Sequence, residues 1–282
     1  MSMSLIYEIS IPISNTIKMT GLAFPDISPI MFSLGPIVVR WYSMAYLVGI
    51  IAAWFLVSRD VKKYGFGLTK ENMEDAAFYV TMGIIFGGRL GYMLIYGRDM
   101  LFANPFSLFE IWKGGMSFHG GIVGVIVSLW LLSRKLNQQF LRLTDMICVY
   151  VPIGIFFGRL ANFVNDELWG RPTDLPWAIR FPSGGYIPRH PSQLYEALME
   201  GLFMFVVLIL CWSSSKIREK IGFVSGLFLV LYGIFRMSME QFRQPDAQIG
   251  FLFKHITMGQ ALSAPFLIIG VYIIVRAIKL SK

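Results

Sequence analysis

Seven stretches of this chain stay apolar for about the thickness of a bilayer, and no other feature limits its fold as strongly. Inside hydrocarbon every backbone N–H and C=O must find a partner within the chain, so stretches of this kind fold as helices. They fall at roughly 34–57, 76–96, 116–133, 144–163, 193–212, 223–240 and 258–278. Of the 282 residues, 55% are hydrophobic and 15% charged, and the mean hydropathy is +0.60. The reading is an all-α, polytopic membrane protein with about seven transmembrane helices, forming one domain over 1–282.

The formal net charge of +8 would suit a nucleic-acid binder as well as a protein on anionic lipid. The location of the charges decides, because they lie between the apolar blocks; no nucleic-acid partner is expected. An odd number of spans puts the termini on opposite sides. With the N-terminus outside, the inner segments hold thirteen Lys and Arg and the longer outer segments eight, while Arg40, Arg89, Arg159 and Arg236 fall in or at the ends of spans. The positive-inside rule therefore predicts an N-out, C-in chain. The longest outer loop, 164–192, carries Trp169, Trp177, five prolines and Gly184-Gly185, and reads as a small compact cap on the membrane surface.

Cys148 and Cys211 sit in apolar stretches without metal-ligand spacing, which argues against a disulfide or metal site. The opening MSMSLIYEIS lacks the basic flank and cleavage site of a signal peptide, so insertion is assigned to internal spans. No nucleotide loop or metal cluster is present, and no cofactor is implied.

Ionised groups at membrane depth are costly, and they point to a site. Arg159, Asn162 and Glu167 lie together in GRLANFVNDELWGRP at the end of the fourth span. The carboxylates within or beside spans are Asp145, Glu196, Glu200 and Glu240, and neither Arg89 nor Arg159 has an acid within helical reach. Arg236 and Glu240 are spaced to pair, with Arg243 on the same face if the helix continues. Any one such arginine is accounted for by snorkelling or by an acid on another helix. Arg89, Arg159 and Arg243 together suggest a site short of acids that takes an anion, and phosphate matches the guanidinium fork. Within a bilayer that anion is most simply a phospholipid headgroup, with the Asn162 amide beside Arg159 bonding a neighbouring hydroxyl.

Gly83, Gly87 and Gly91 recur every four residues, a stripe explained by helix packing. Gly114, Gly115, Gly120 and Gly121 flank His119, which predicts irregular backbone there or close approach by a ligand. His119 is either a hydrogen-bonded structural residue or a general base for a thiol or hydroxyl. His190, before Pro191, reads as a turn or cap contact, and His255 as an outer-loop residue.

GGMSFHGGIVG (114–124), GRLANFVNDELWGR (158–171), PRHPSQLYEALMEG (188–201) and FRQPDAQ (242–248) resemble the signature segments of the prolipoprotein diacylglyceryl transferase family. GPIVVRWYSMAYLVG (35–49) and FGGRLGYMLIY (86–96) are similar to the same family. The resemblance implies a bacterial inner-membrane enzyme that moves the diacylglyceryl group of phosphatidylglycerol to the lipobox cysteine of a prolipoprotein, releasing glycerol phosphate. Carried over by position, it implies catalytic roles for His119, Arg159 and Arg243, and substrate-binding roles for Arg159, Asn162, Glu167, Gly170 and Tyr42, to which the charge of Arg89 at membrane depth adds Arg89 as a further substrate-binding candidate. Asp166 stands where the family pattern has glycine, and so does Ala161. His119 is the candidate base, with a tyrosine or a lipid phosphate oxygen as alternatives. A lipid or anion transporter would also line a path with arginine, but the two halves show no repeat. A non-catalytic scaffold would leave the His119 segment unexplained.

Overall fold

The computed structural model describes residues 21–281 apart from 36, 245–250 and 253–255. The readings that rest on MSMSLIYEIS, Lys18, Lys254, His255, Lys282 and the 245–248 half of FRQPDAQ lie outside the described residues. The chain is mostly helical, as expected. Two short strands, β1 (Leu22–Ala23) and β2 (Ile30–Leu34), lead to β3 (Ile37–Arg40) and then to α1 (Trp41–Tyr64) and α2 (Lys70–Ile95). α3 (Arg98–Ala103) and two 3-10 turns precede α4 (Phe118–Lys135), α5 (Phe140–Cys148) and α6 (Val151–Val164). After β4 (Ile179–Arg180) and β5 (Pro188–Arg189) comes one continuous rod, built of α7 (Ser192–Glu196), a π-wound segment (Ala197–Phe203) and α8 (Met204–Ser213). α9 (Ser215–Arg218), α10 (Phe223–Met239), β6 (Phe251–Leu252), β7 (Ile256–Thr257) and α11 (Met258–Leu280) complete the order.

Each expected span coincides with helix, but not every boundary holds. The first was placed at 34–57, whereas α1 starts at Trp41. β2 and β3 instead pair as an antiparallel hairpin, with Ser33 opposite Val38 and Leu34 opposite Ile37. Gly35 takes the left-handed turn at φ 58°, and the β-branched run Ile37-Val38-Val39 prefers a strand. The fourth segment is broken: α5 and α6 meet at a 46° bend, with Pro152 in the first turn of α6. Among the described residues four helices are long and apolar enough to cross a membrane, or five with the bent pair counted as one span. α4 and α10, of 18 and 17 residues, fall outside that set.

Local signals fix the helix starts. Thr69 and Asn72 form a reciprocal capping box for α2, and Thr257 and Gln260 form one for α11. Asp145 caps α10 from another helix by accepting the Gly222 and Ser225 N–H groups at 2.6 and 2.7 Å. Asp60, buried among apolar side chains, accepts the Tyr150 hydroxyl and the Trp212 indole N–H.

The bundle is drawn together by backbone-to-backbone contact at glycine. α2 packs on α4 along the expected stripe, where a Cβ on Gly91 would lie 2.7 Å from Gly120 Cα and one on Gly83 2.7 Å from Gly124 O. α1 meets α6 at Gly49 and Gly154, and α10 meets α11 at Gly226 and Gly270. Lipid gives no hydrophobic push between helices, so close approach of small residues holds them together. Of the glycines around His119, Gly120 therefore has a packing role, as does Gly124 one turn on, and the backbone at His119 is helical. Ser117 caps α4 by accepting from Gly120 N, and the irregularity expected at His119 lies upstream, at Gly114 and Gly115, both at φ 78°.

Gly124→Val forces a side chain into the Gly83 carbonyl. It should destabilise the protein by about 1–3 kcal/mol, read as a lower Tm in detergent, whereas Gly121→Ala, whose new Cβ meets Ile84 O at 3.8 Å, should leave Tm unchanged. Equal melting of both variants with the native protein would refute the backbone-contact account.

Candidate active site

The signature stretch 158–171 is built in two halves. On α6, Arg159 and Asn162 are three residues apart and share a face. The helix ends at Val164, and the chain then turns sharply, with Asp166 and Leu168 both in the left-handed region at φ 55° and 58°. Such a conformation is costly for leucine, and dense hydrogen bonding holds it. Glu167 N–H donates to Asn162 O at 3.1 Å, Gln193 Nε2 to Glu167 O at 2.6 Å, and Ser192 Oγ to Leu168 O at 3.0 Å. The Glu167 carboxylate accepts the Asn162 amide at 2.8 Å and the Asn165 amide at 3.4 Å. Asn162, 5% exposed, thus fixes Glu167.

Beyond the turn the chain runs between two others. Gly170 N–H donates to His190 O at 2.9 Å, Arg171 N–H to Phe242 O at 2.8 Å, and Gly170 forms an isolated antiparallel bridge with Arg243. A Cβ on Gly170 would stand 2.6 Å from His190 Cβ, His190 O and Phe242 O, so this position has room only for glycine. The bridge joins the end of α6 to the segment after α10. Arg243 was expected on the face of Arg236 if the helix continued; α10 ends at Met239 instead, and the bridge places Arg243.

Arg159, Arg236 and Arg243 converge on carboxylates from the α7–α8 rod. Arg159 Nη1 lies 2.9 Å from Glu196 Oε2, and its Nη2 lies 3.0 Å from Glu200 Oε2. Arg236 Nη1 reaches Glu196 Oε1 at 3.1 Å and Glu200 Oε1 at 4.0 Å, and its Nη2 meets Glu240 at 2.6 Å. Arg243 Nη1 lies 3.8 Å from Glu196 Oε1. Glu196 and Glu200 are fully buried and sit where α helix passes into the π-wound segment, a winding often found at functional sites. This corrects the expected shortage of acids: the acids come from other helices, which helical spacing along one segment does not reveal. The expected Arg236–Glu240 pair forms.

The other nominated residues lie elsewhere or at the margin. Tyr42, half-buried on α1, has its hydroxyl 3.4 Å from that of Tyr46, and Tyr46 is near enough to Arg159 and Glu167 to feel both charges. Arg89 is 3% exposed and spends its guanidinium on main-chain carbonyls: Nε on Leu108 O at 3.3 Å, Nη2 on Ser107 O at 2.6 Å, and Nη1 on Gly114 and Gly115. In this arrangement it fastens the 105–115 loop to α2. His119 is exposed at the start of α4, across the Gly88–Ser117 main-chain bond from Arg89. Arg89 and His119 thus belong to α2 and α4, and Arg159, Asn162, Glu167 and Gly170 to α6 and the segment that follows it.

His190 is a loop contact, as expected: its ring packs against Tyr195 and Phe242, and burial lowers its pKa below the ordinary histidine value. Among the described residues, no group of three or more His, Cys, Asp or Glu side chains is arranged to hold a metal ion. Glu196, Glu200, Arg236 and Tyr46 were not among the nominated site residues. The available signal was the four-residue spacing of Glu196 and Glu200 inside an apolar run.

Fold and site together define a multi-pass helical membrane protein with a buried guanidinium–carboxylate centre. The family model for prolipoprotein diacylglyceryl transferase matches residues 29–276. A phosphatidylglycerol–prolipoprotein diacylglyceryl transferase of Rickettsia felis is 48% identical over 256 residues, covering 91% of this chain and 99% of its own. The enzyme of the same name from Rickettsia bellii is 48% identical over 255 residues, covering 90% and 97%, and that from Rickettsia rickettsii 46% over 256, covering 91% and 99%. The chain belongs to the prolipoprotein diacylglyceryl transferase family.

Gly170→Ala should push the 169–171 segment off its two neighbours. Hydrogen exchange is expected to speed up at Gly170 and Arg171 with a fall in Tm, and unchanged exchange would show that the wedge between His190 and Phe242 tolerates a methyl group.

Proposed function

We propose that the protein transfers the diacylglyceryl group of phosphatidylglycerol to the lipobox cysteine thiol of prolipoproteins, the first step of bacterial lipoprotein maturation. The sulfur bonds to a glyceryl carbon, the carbon–oxygen bond to phosphate breaks, glycerol phosphate leaves, and the thiol proton passes to a base. The identity of nearly half the residues with transferases of that name, across nine-tenths of the chain, carries this reading.

The site chemistry agrees with it. Negative charge grows on the departing phosphate, so donors aimed at its oxygens stabilise the transition state more than the bound lipid. Arg159 and Arg243, which share Glu196, supply those donors. Arg159 is oriented beforehand by its two glutamates, so little reorganisation remains at the moment of reaction. Asn162 and Glu167 keep the 165–168 turn in shape around it, Gly170 brings Arg243 alongside, and Tyr42 and Tyr46 line the α1 side. His119 takes the thiol proton, since thiolate is the attacking species. Arg89 supports that reaction by holding the loop that enters α4. In this reading the protein sits in the bacterial inner membrane, with its N-terminus periplasmic and its C-terminus cytoplasmic. It forms one domain of seven spans, and the loop at 164–192 caps the periplasmic side, where the prolipoprotein docks.

Purified protein with lipid-tagged phosphatidylglycerol and a lipobox peptide gives the decisive assay. Arg159→Ala and Arg243→Ala should each lower transfer by about 10²–10³-fold or more while the proteins still insert and fold; full transfer by either removes that arginine from the mechanism. His119→Gln should lose about 10²–10⁴-fold, with partial recovery as pH rises and more thiol ionises unaided. An unchanged rate would make His119 structural.

A further inference from the structure

Glu196 stands apart from the other acids because Arg159, Arg236 and Arg243 all reach it, at 2.9, 3.1 and 3.8 Å. Glu200 meets Arg159 and Arg236, and Glu240 meets Arg236. Three guanidiniums and three carboxylates leave these six groups balanced. A phosphate entering a balanced cluster must displace a carboxylate, because an added anion without a matching cation is expensive at low dielectric. The contact between Glu196 and Arg243 is the one suited to yield. At 3.8 Å it is longer than a charge-assisted hydrogen bond, whereas Arg159 lies 2.9 Å from Glu196 and hydrogen-bonds Glu200 at 3.0 Å.

We propose that Glu196 is a resident counter-ion, holding the place between Arg159 and Arg243 that the lipid phosphate takes, and that it releases Arg243 when the phosphate arrives. The inference rests on the transferase reading and adds a positioning residue that sets affinity for the anionic lipid. Without this carboxylate one positive charge of the cluster would be uncompensated before substrate binds, since Glu200 and Glu240 still pair with Arg159 and Arg236. With it, part of their attraction for phosphate is masked in the ground state. The remaining tie to Arg159 keeps that side chain oriented through the reaction. Glu200 hydrogen-bonds Arg159 at 3.0 Å, lies equally deep and reaches Arg236 at 4.0 Å, which makes it the control for loss of a carboxylate from the same cluster.

The test compares Glu196→Gln and Glu200→Gln in the full-length protein, measuring KM for phosphatidylglycerol, kcat, and the rise in Tm that phosphatidylglycerol gives over phosphatidylcholine. Glu196→Gln should lower KM about fivefold or more, lower kcat, and melt with a larger phosphatidylglycerol-specific stabilisation than the native protein. Glu200→Gln should lower kcat without lowering KM. An unchanged or raised KM in Glu196→Gln, with no added stabilisation, overturns the proposal, as does an equal gain in affinity in both variants. If Glu196→Gln does not yield folded protein, Glu196→Asp, which withdraws the carboxylate by one methylene, should move KM the same way, and a KM that does not fall overturns the proposal. Native protein that transfers normally beside an unresponsive Glu196→Gln defeats this inference alone. Native protein that transfers nothing, beside a Glu196→Gln variant that still gains phosphatidylglycerol stabilisation over it, defeats the transferase reading and supports the counter-ion.

Discussion

Burying guanidinium charge inside an apolar bundle is the constraint on which the rest of this structure depends. A lone buried ion is costly, and removing one partner of a buried pair typically costs about 3–5 kcal/mol. The chain meets this by drawing acids from the α7–α8 rod and the end of α10 onto Arg159 and Arg236. Glycine contacts between α1 and α6 and at Gly201 against Phe156 bring those helices close enough for the side chains to meet. Elsewhere in the bundle single acids follow the same logic: Asp60 takes hydroxyl and indole donors, and Asp145 takes the buried N–H groups at the start of α10.

The signature turn converts this electrostatic core into a shaped site. Asn162, Glu167 and Gln193 join α6, the left-handed turn and α7 through short hydrogen bonds, and Gly170 passes the connection to Arg243. Two arginines from segments some eighty residues apart therefore approach one carboxylate. A transferase that expels a phosphate needs this kind of prior arrangement, since donors fixed in advance are worth more than donors that must be gathered.

The sequence made the helical class and the approximate positions of all seven segments legible, because bilayer-length apolar runs leave few alternatives. It misled ahead of Trp41, where β2 and β3 form a hairpin, and at 149–150, where continuous hydropathy conceals a bend. The stripe at Gly83, Gly87 and Gly91 was readable as packing, but its partner at Gly120 and Gly124 was read partly as site chemistry. Arg159, Asn162, Glu167 and Gly170 were legible as one unit since they are near in sequence. The pairing of Arg159 with Glu196 and Glu200 was not, because the four-residue spacing of those acids marks a shared helix face but not which arginine of another helix it meets. Arg89 was nominated from its charge and depth alone, whereas the carbonyls that hold it belong to a loop whose shape follows from backbone geometry.

A structure of the full-length protein with phosphatidylglycerol bound would test the shared-anion site most directly. The account predicts phosphate oxygens about 2.7–2.9 Å from guanidinium nitrogens of both Arg159 and Arg243, with Glu196 withdrawn from Arg243 and still paired with Arg159. A headgroup bound elsewhere, with Arg159 and Arg243 still on their glutamates, would contradict it.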